Sequence, residues 1–313
     1  MRGLLNAGNT CYLNAALQCV LYVPQLTNYF LSPCANDDLL KKRLNACAVA
    51  NEYAALVRAL WGTPPTEPLS SEALRVALAK VHKTFGNATM QHDAHEALVA
   101  LLHTLHDALA KTSPIQESLA APHVHLDSWN AHNKGNYSFL TELFQGQMRV
   151  TVAGPGYVST SYDHFWDLSL AVDGMTGSVA QAVARHLEPT TVDGFKQGDE
   201  YITVDITRQF VYLPLILVVH LKRFDNRRNK LDKFVDYAVD MDVPFAGSQV
   251  AHYQLFAVCL HSGDVAGGHY AAMCESHGRW FYLDDASAQP VQDLNAIIQR
   301  DAYVLLYRRK SVF

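Results

Sequence analysis

Cys11 stands where a polar, glycine-bearing loop, Gly3 to Thr10, runs into a stretch with apolar residues at helical spacing. A thiol at the start of a helix faces free backbone amides and the positive end of the helix dipole, and both favour thiolate. Asn6, five residues upstream, can fold back and offer its carboxamide N–H to an oxyanion forming beside Cys11. At the other end of the chain, Gly267-Gly268-His269-Tyr270 heads a strand-like segment. A thiol nucleophile needs a base within hydrogen-bond reach, and the base needs a third group to orient it. Trp280-Phe281-Tyr282-Leu283-Asp284-Asp285 supplies two carboxylates near a strand end for that purpose. Taken singly, each residue has a plain structural alternative: Cys11 as a small apolar helix residue, Asn6 as a turn former, His269 as a strand histidine.

The elements that must position these residues fall into two halves. Residues 11–23 carry Leu13, Leu17, Val20 and Leu21 on one side and are stopped by Pro24. Helical spacing continues over residues 39–60, and another helix begins at Ser70 or Ser71, a plausible N-cap, and continues to Phe85. Residues 90–109 form a fourth helix, whereas 111–136 are polar and proline-bearing and read as a long loop. Beyond Tyr137 the period shifts to strands: 146–152 and 165–172 around a Gly-Pro-Gly turn at 154–156, then 201–211, 215–221, 235–241, 254–261, 269–275, 279–283 and 302–307. One short helix, 178–187, is capped by Ser178. Helices first and antiparallel strands afterward make an α+β architecture. A nucleophile and a base at opposite ends of such a chain suit a site where two lobes meet.

Composition narrows the classes. The chain has 313 residues, 25 basic against 30 acidic side chains and a net charge of −5, which argues against nucleic acid or an anionic membrane as partner. The apolar fraction of 49% excludes wholesale disorder. The longest apolar run, Leu213 to Leu221, contains Pro214 and His220 and is too short to span a membrane. Asn6, Asn9, Thr10, Asn14 and Gln18 interrupt the N-terminal stretch that a signal peptide would need. Six cysteines without CxxC spacing read as reduced thiols of an intracellular protein, in cytoplasm or nucleus.

Four stretches in order resemble the catalytic domain of the ubiquitin-specific proteases, papain-like cysteine proteases. GLLNAGNTCYLNAALQCV is similar to the family's cysteine box, and Met90 to Glu96 to its glutamine/aspartate motif. Leu215 to Phe224 ends in the family's LKRF, and His261-Ser262-Gly263 through His269-Tyr270 to Asp285 resembles its histidine box. The resemblance implies one catalytic domain over 1–313, with a helical thumb (1–135), fingers (136–212) and palm (213–313). It implies hydrolysis of the isopeptide or peptide bond after the C-terminal glycine of ubiquitin, through a thioester. Cys11 is then the nucleophile, His269 the general base, Asp284 its orienting group, Asn6 the oxyanion side chain and Asp285 a supporting residue. Asp93 and Glu96 are implied to meet arginines of the ubiquitin tail, and Phe224, His261 and Tyr270 to line its channel. Ubiquitin or ubiquitin-conjugated proteins are the implied partners. A protease of another ubiquitin-like modifier and a catalytically idle ubiquitin-binding module remain as alternatives.

The departures from the pattern carry expectations too. Many relatives bind a structural zinc through two CxxC pairs; here the corresponding places, 152–155 and 203–206, hold no cysteine, so no metal or other cofactor is expected. His95-Glu96 opens a metalloprotease-like pattern, but Val99 stands where its second histidine belongs. Lys222, Arg223, Arg227, Arg228, Lys230 and Lys233, interleaved with Asp225 and Asp232, read as a solvated hairpin. The cysteine motif begins close to residue 1, and no preceding binding module is expected.

Overall fold

A computed structural model describes residues 1–33, 35, 45–62, 67–87, 90–111, 125–225, 229–264 and 267–310. Helix α1 (Cys11–Leu21) is buried along its whole length, including its polar residues Asn14 and Gln18. It lies between the other N-terminal helices and a large sheet, so it has no solvent face, and its polar side chains must find internal partners. Gln18 donates to the Arg2 carbonyl at 2.9 Å. Pro24 ends α1 by opening α2 (Pro24–Leu31) as its first residue. Then come α3 (Asn45–Trp61), α4 (Glu72–Val81) and α5 (Ala94–Leu109). Helix α5 starts four residues later than the apolar pattern suggests, because Asp93 caps it, accepting from the Glu96 amide at 3.0 Å. The stretch read as a long loop contains a short helix, α6 (Leu126–His132), while 112–124 lie outside the described residues. Helix α7 (Phe139–Phe144) follows, with a Ser138–Thr141 capping box.

Two short strands, β1 (Leu4–Leu5) and β2 (Leu69–Ser70), pair in parallel and hold the N-terminal loop beside α4. Strands β3 (Gly146–Gly154), β4 (Tyr157–Phe165), β6 (Thr190–Gln197) and β7 (Glu200–Tyr212) form a four-stranded antiparallel sheet in the order β4-β3-β7-β6. The larger sheet runs β13 (Ser287–Pro290), β12 (Arg279–Asp284), β11 (Gly268–Ser276), β10 (Gln249–Gly263), β14 (Ala302–Arg309), β8 (Ile216–Lys222), β5 (Leu168–Ala171), with β9 (Asp240–Phe245) also on β10. Only the β5–β8 pair in it is parallel. Helix α8 (Val179–Leu187) is capped by Ser178, which accepts from the Gln181 amide at 3.1 Å.

The large sheet is buried on both faces. Ile216 and Val218 of β8 join the core around α1, while Leu217, Val219 and Leu221 join a second core on the opposite face. This is why 215–221 reads as one continuous apolar run. The four-stranded sheet is the converse case. Strands β4 and β6 expose most of their residues, so no apolar alternation marks them, and the sequence reading passes over both. The strand expected at 235–241 lies at Asp240–Phe245; Val235 and Tyr237 are buried without belonging to a ladder strand. Among the described residues, no helix is long and apolar enough to cross a membrane.

The basic cluster after β8 does form a hairpin, with Phe224 bridged to Lys230 and the Leu231 amide donating to the Arg223 carbonyl at 2.6 Å, but its charges are not all solvated. Arg223 is 1% exposed and donates to the carbonyls of Ala302 (2.6 Å), Leu231 (3.2 Å) and Lys233 (2.6 Å). Lys230 donates to the His261 carbonyl at 2.6 Å, and Lys233 to that of Gly174 at 2.5 Å. Arg227 and Arg228 lie outside the described residues. Arg223, Lys230 and Lys233 thus serve as internal clips, tying this hairpin to the strand carbonyls of Ala302 and His261 and to the loop carbonyls of Leu231, Lys233 and Gly174. Arg223→Ala would strand one buried and two partly buried carbonyls, so we expect urea denaturation to show a loss on the order of 3 kcal/mol. A loss below about 1 kcal/mol would mean that water replaces the guanidinium there.

Candidate active site

Cys11 opens α1 but is only 2% exposed, and burial pushes its thiol pKa upward; the nearby Asp285 charge pushes the same way. Backbone hydrogen bonds from Tyr270, Tyr12 and Cys11 itself oppose that rise without overcoming it. The helix start therefore does not ionise the thiol unaided, contrary to the simple dipole expectation. What it does receive is a neighbour: the Tyr270 backbone that reaches Cys11 belongs to the residue after His269.

His269 lies near the start of β11, and its Nε2 meets Asp284 Oδ1 at 2.6 Å, at the end of β12. Asp284 thus takes one ring nitrogen and leaves Nδ1 available to a thiol proton. Asp285 turns elsewhere. Its φ of 46° is left-handed, uncommon for a residue with a side chain, and the strand ends at Asp284. Its backbone carbonyl accepts from the Leu4 amide at 2.7 Å, which docks β1 against this turn. Gly3 makes that docking possible, since a Cβ there would sit 2.2 Å from the Ala286 carbonyl oxygen. The Asp285 carboxylate accepts from Asn6 Nδ2 and from Asn14 Nδ2, each at 2.8 Å.

Asn6 is held at both ends of its amide. Its Oδ1 accepts from the amides of Gly8 (3.0 Å) and Thr10 (3.1 Å) and from the Thr10 hydroxyl (3.2 Å). Its Nδ2 gives one hydrogen to Asp285 and keeps the other for a further acceptor. A carbonyl attacked by Cys11 would develop its oxyanion within the reach of that loop.

The remaining sequence-predicted residues gather around a residue the sequence does not flag, Tyr303. Its hydroxyl donates to Asp93 Oδ2, and the Tyr270 hydroxyl reaches the same oxygen at 3.5 Å. His261 is buried among the rings of Tyr270 (4.6 Å), Phe224 (5.5 Å) and Tyr303 (5.9 Å), and burial lowers its pKa to about 4, with Lys230 adding to the effect. Glu96 projects exposed from the first turn of α5. Gln91 was also missed as a site residue, although it opens the Gln-His-Asp motif. Its side-chain amide donates to the Gly268 carbonyl (2.8 Å) and accepts from the Gly268 amide (3.1 Å), clamping the peptide that precedes His269. Gly268 must be glycine, because a Cβ would lie 2.2 Å from His261 Nε2. Tyr303 sits in an apolar strand and carries no local signal at all.

Residues 2–307 match the family described as ubiquitin carboxyl-terminal hydrolase. The chain belongs to that family. Relatives include ubiquitin carboxyl-terminal hydrolase 2 of Rattus norvegicus, 32% identical over 342 residues, covering 99% of this chain and 54% of the relative. The Homo sapiens protein of the same name is 31% identical over 338 residues, with 99% and 55% covered. The chain thus spans about half the length of the curated relatives it matches. Among solved structures, the SAGA Ubp8/Sgf11/Sus1/Sgf73 deubiquitinase module bound to ubiquitin aldehyde has the same fold, with a TM-score of 0.80, 21% identity and coverage of 100% of this chain and 70% of that one.

The zinc that many ubiquitin carboxyl-terminal hydrolases carry does not fit this chain. The two places face each other across β3 and β7, with Val152 opposite Ile206 and Ala153 opposite Asp205, and offer neither thiolate nor imidazole. Cross-strand hydrogen bonds tie the neighbouring ladder instead: Thr203 to Asp193 at 2.7 Å and Thr191 to Asp205 at 2.6 Å. Elsewhere His95, Asp167 and His220 approach one another, but they are engaged among themselves. His95 Nε2 meets Asp167 at 3.1 Å, and Ser169 joins Asp167 and His220 at 2.9 Å each. The two imidazoles stack at 3.8 Å, nearly parallel, so their in-plane lone pairs do not converge on one ion.

Because burial raises the Cys11 pKa, the thiolate at neutral pH depends on a proton acceptor beside it. We expect His269→Ala to move the pH profile of Cys11 alkylation by iodoacetamide above the ordinary thiol value of about 8.5 and to slow alkylation at pH 7 by at least ~10-fold. An unchanged profile would show that backbone amides alone sustain the thiolate.

Proposed function

We propose that this chain is a deubiquitinating thiol hydrolase, cleaving the isopeptide or peptide bond after the C-terminal glycine of ubiquitin. The observation that carries the reading is the His269–Asp284 pair at two adjacent strand ends, with the residues that follow each, Tyr270 through its backbone and Asp285 through its charge, acting on the helix-start thiol of Cys11. His269 takes the thiol proton as Cys11 attacks the glycine carbonyl, and Asn6 donates to the oxyanion. The tetrahedral intermediate collapses to a thioester, and His269 protonates the departing lysine amine. Water, deprotonated by the same imidazole, then hydrolyses the thioester. Asp284 holds the imidazole in register and stabilises its charged form.

Specificity rests on the tail. Phe224, His261 and Tyr270 wall the approach to Cys11, and Asp93 and Glu96 pair with arginines of an extended ubiquitin C-terminus. Ubiquitin-conjugated proteins are the substrates on this reading. The five cysteines among the described residues are unpaired and buried, which supports an intracellular setting.

With a fluorogenic ubiquitin substrate, Cys11→Ala and His269→Ala should each abolish turnover, and the double variant should be no worse than either. Asp284→Ala should lower kcat/KM by at least ~10², since an orienting carboxylate contributes up to ~10⁴. Asp285→Ala should cost less, because Asn6 keeps its Oδ1 contacts. Substantial turnover by Cys11→Ala would overturn the reading, and Asp285→Ala being the more damaging would exchange the two carboxylate roles.

A further inference from the structure

Ser71 occupies the N-cap position of α4 but does not cap it. Its neighbour Ser70 accepts from the Glu72 amide at 3.3 Å, and the Ser71 hydroxyl, 3% exposed, donates instead to Asn14 Oδ1 at 2.8 Å. That bond decides which way the buried Asn14 amide points. With Oδ1 occupied by a donor, Nδ2 faces the Asp285 carboxylate, at 2.8 Å, and also the carbonyls of Leu4 (3.3 Å) and Leu5 (3.2 Å). All three of those acceptors want a donor, so a flipped amide would set oxygen against oxygen at each.

Asp285 in turn is an odd neighbour for a nucleophilic thiol, since its charge disfavours the thiolate. It is equally unsuited to face an oxyanion. Its two oxygens are instead divided between Asn14 and Asn6. We propose that Ser71 and Asn14 are positioning residues, which act through Asp285 to aim the Asn6 amide at the oxyanion. The chain Ser71–Asn14–Asp285–Asn6 runs from the start of α4, through α1, to the loop ahead of Cys11, all in side-chain hydrogen bonds of 2.8 Å. Ser71 touches neither thiol nor imidazole in this arrangement, so its effect is confined to steps that generate an oxyanion.

This inference rests on the hydrolase reading and deepens it. Three readouts separate the two. Ser71→Ala should lower kcat on a fluorogenic ubiquitin substrate by ~10-fold with KM unchanged, short of the ~10²–10³ that loss of an oxyanion donor costs. Affinity for ubiquitin aldehyde, whose adduct with Cys11 carries the tetrahedral oxygen, should weaken by the same factor. Alkylation by iodoacetamide, a displacement with no oxyanion, should proceed at the wild-type rate. Asp285→Asn, which keeps the shape but turns one acceptor into a donor against an asparagine, should lose kcat and aldehyde affinity in the same way, while its alkylation should be faster than wild type because a charge that disfavours the thiolate is gone. If wild-type protein ignores ubiquitin aldehyde, the hydrolase reading falls and this inference with it. If wild-type protein is captured and the variants are captured as tightly, or if alkylation falls in step with kcat, the relay alone is overturned.

Discussion

At the end of β12 two carboxylates occupy adjacent positions and face different partners, because the backbone turns left-handed at Asp285. Asp284 keeps the strand's direction and reaches His269; Asp285 swings toward the N-terminal loop and gathers Asn6 and Asn14. The turn is held from outside by the Leu4 amide on the Asp285 carbonyl, at a spot where only Gly3 lets the chains approach. One strained residue thereby couples the His269 strand end and the Asn6 loop, although they lie at opposite ends of the sequence. Holding a side-chain-bearing residue in an unfavoured region costs on the order of 1–3 kcal/mol, which the surrounding contacts must offset.

Cys11 is placed by the same economy of contacts. Helix α1 is buried entire, and that burial both fixes Cys11 and works against its ionisation. The helices contribute by rigidity: Asp93 caps α5 and ties it to Tyr303 and Tyr270, and Gln91 clamps the peptide ahead of His269.

What could be read without coordinates follows from how local each signal is. Cys11 at a loop–helix junction, His269 after paired glycines and Asp284 near a strand end are visible as motifs, as is the α+β order of elements. Strands β4 and β6 escape because a sheet exposed on most positions has no apolar period to display. Arg223 and Lys230 mislead because a run of charges gives no sign that two of its members turn inward onto backbone carbonyls. Ser71 and Tyr303 are recognisable only in three dimensions: one looks like a helix cap, the other like a core strand residue, and both send their hydroxyls elsewhere.

Covalent capture tests the role of Cys11 most directly. Protein treated with ubiquitin carrying a C-terminal electrophile, alongside equivalent probes built on SUMO and the interferon-induced modifier, can be digested and the adduct mapped by mass spectrometry. The proposed function calls for a single ubiquitin adduct on Cys11, with the other thiols unmodified and the other modifiers captured less. An adduct on a different cysteine, equal capture of another modifier, or no adduct from folded protein would contradict it.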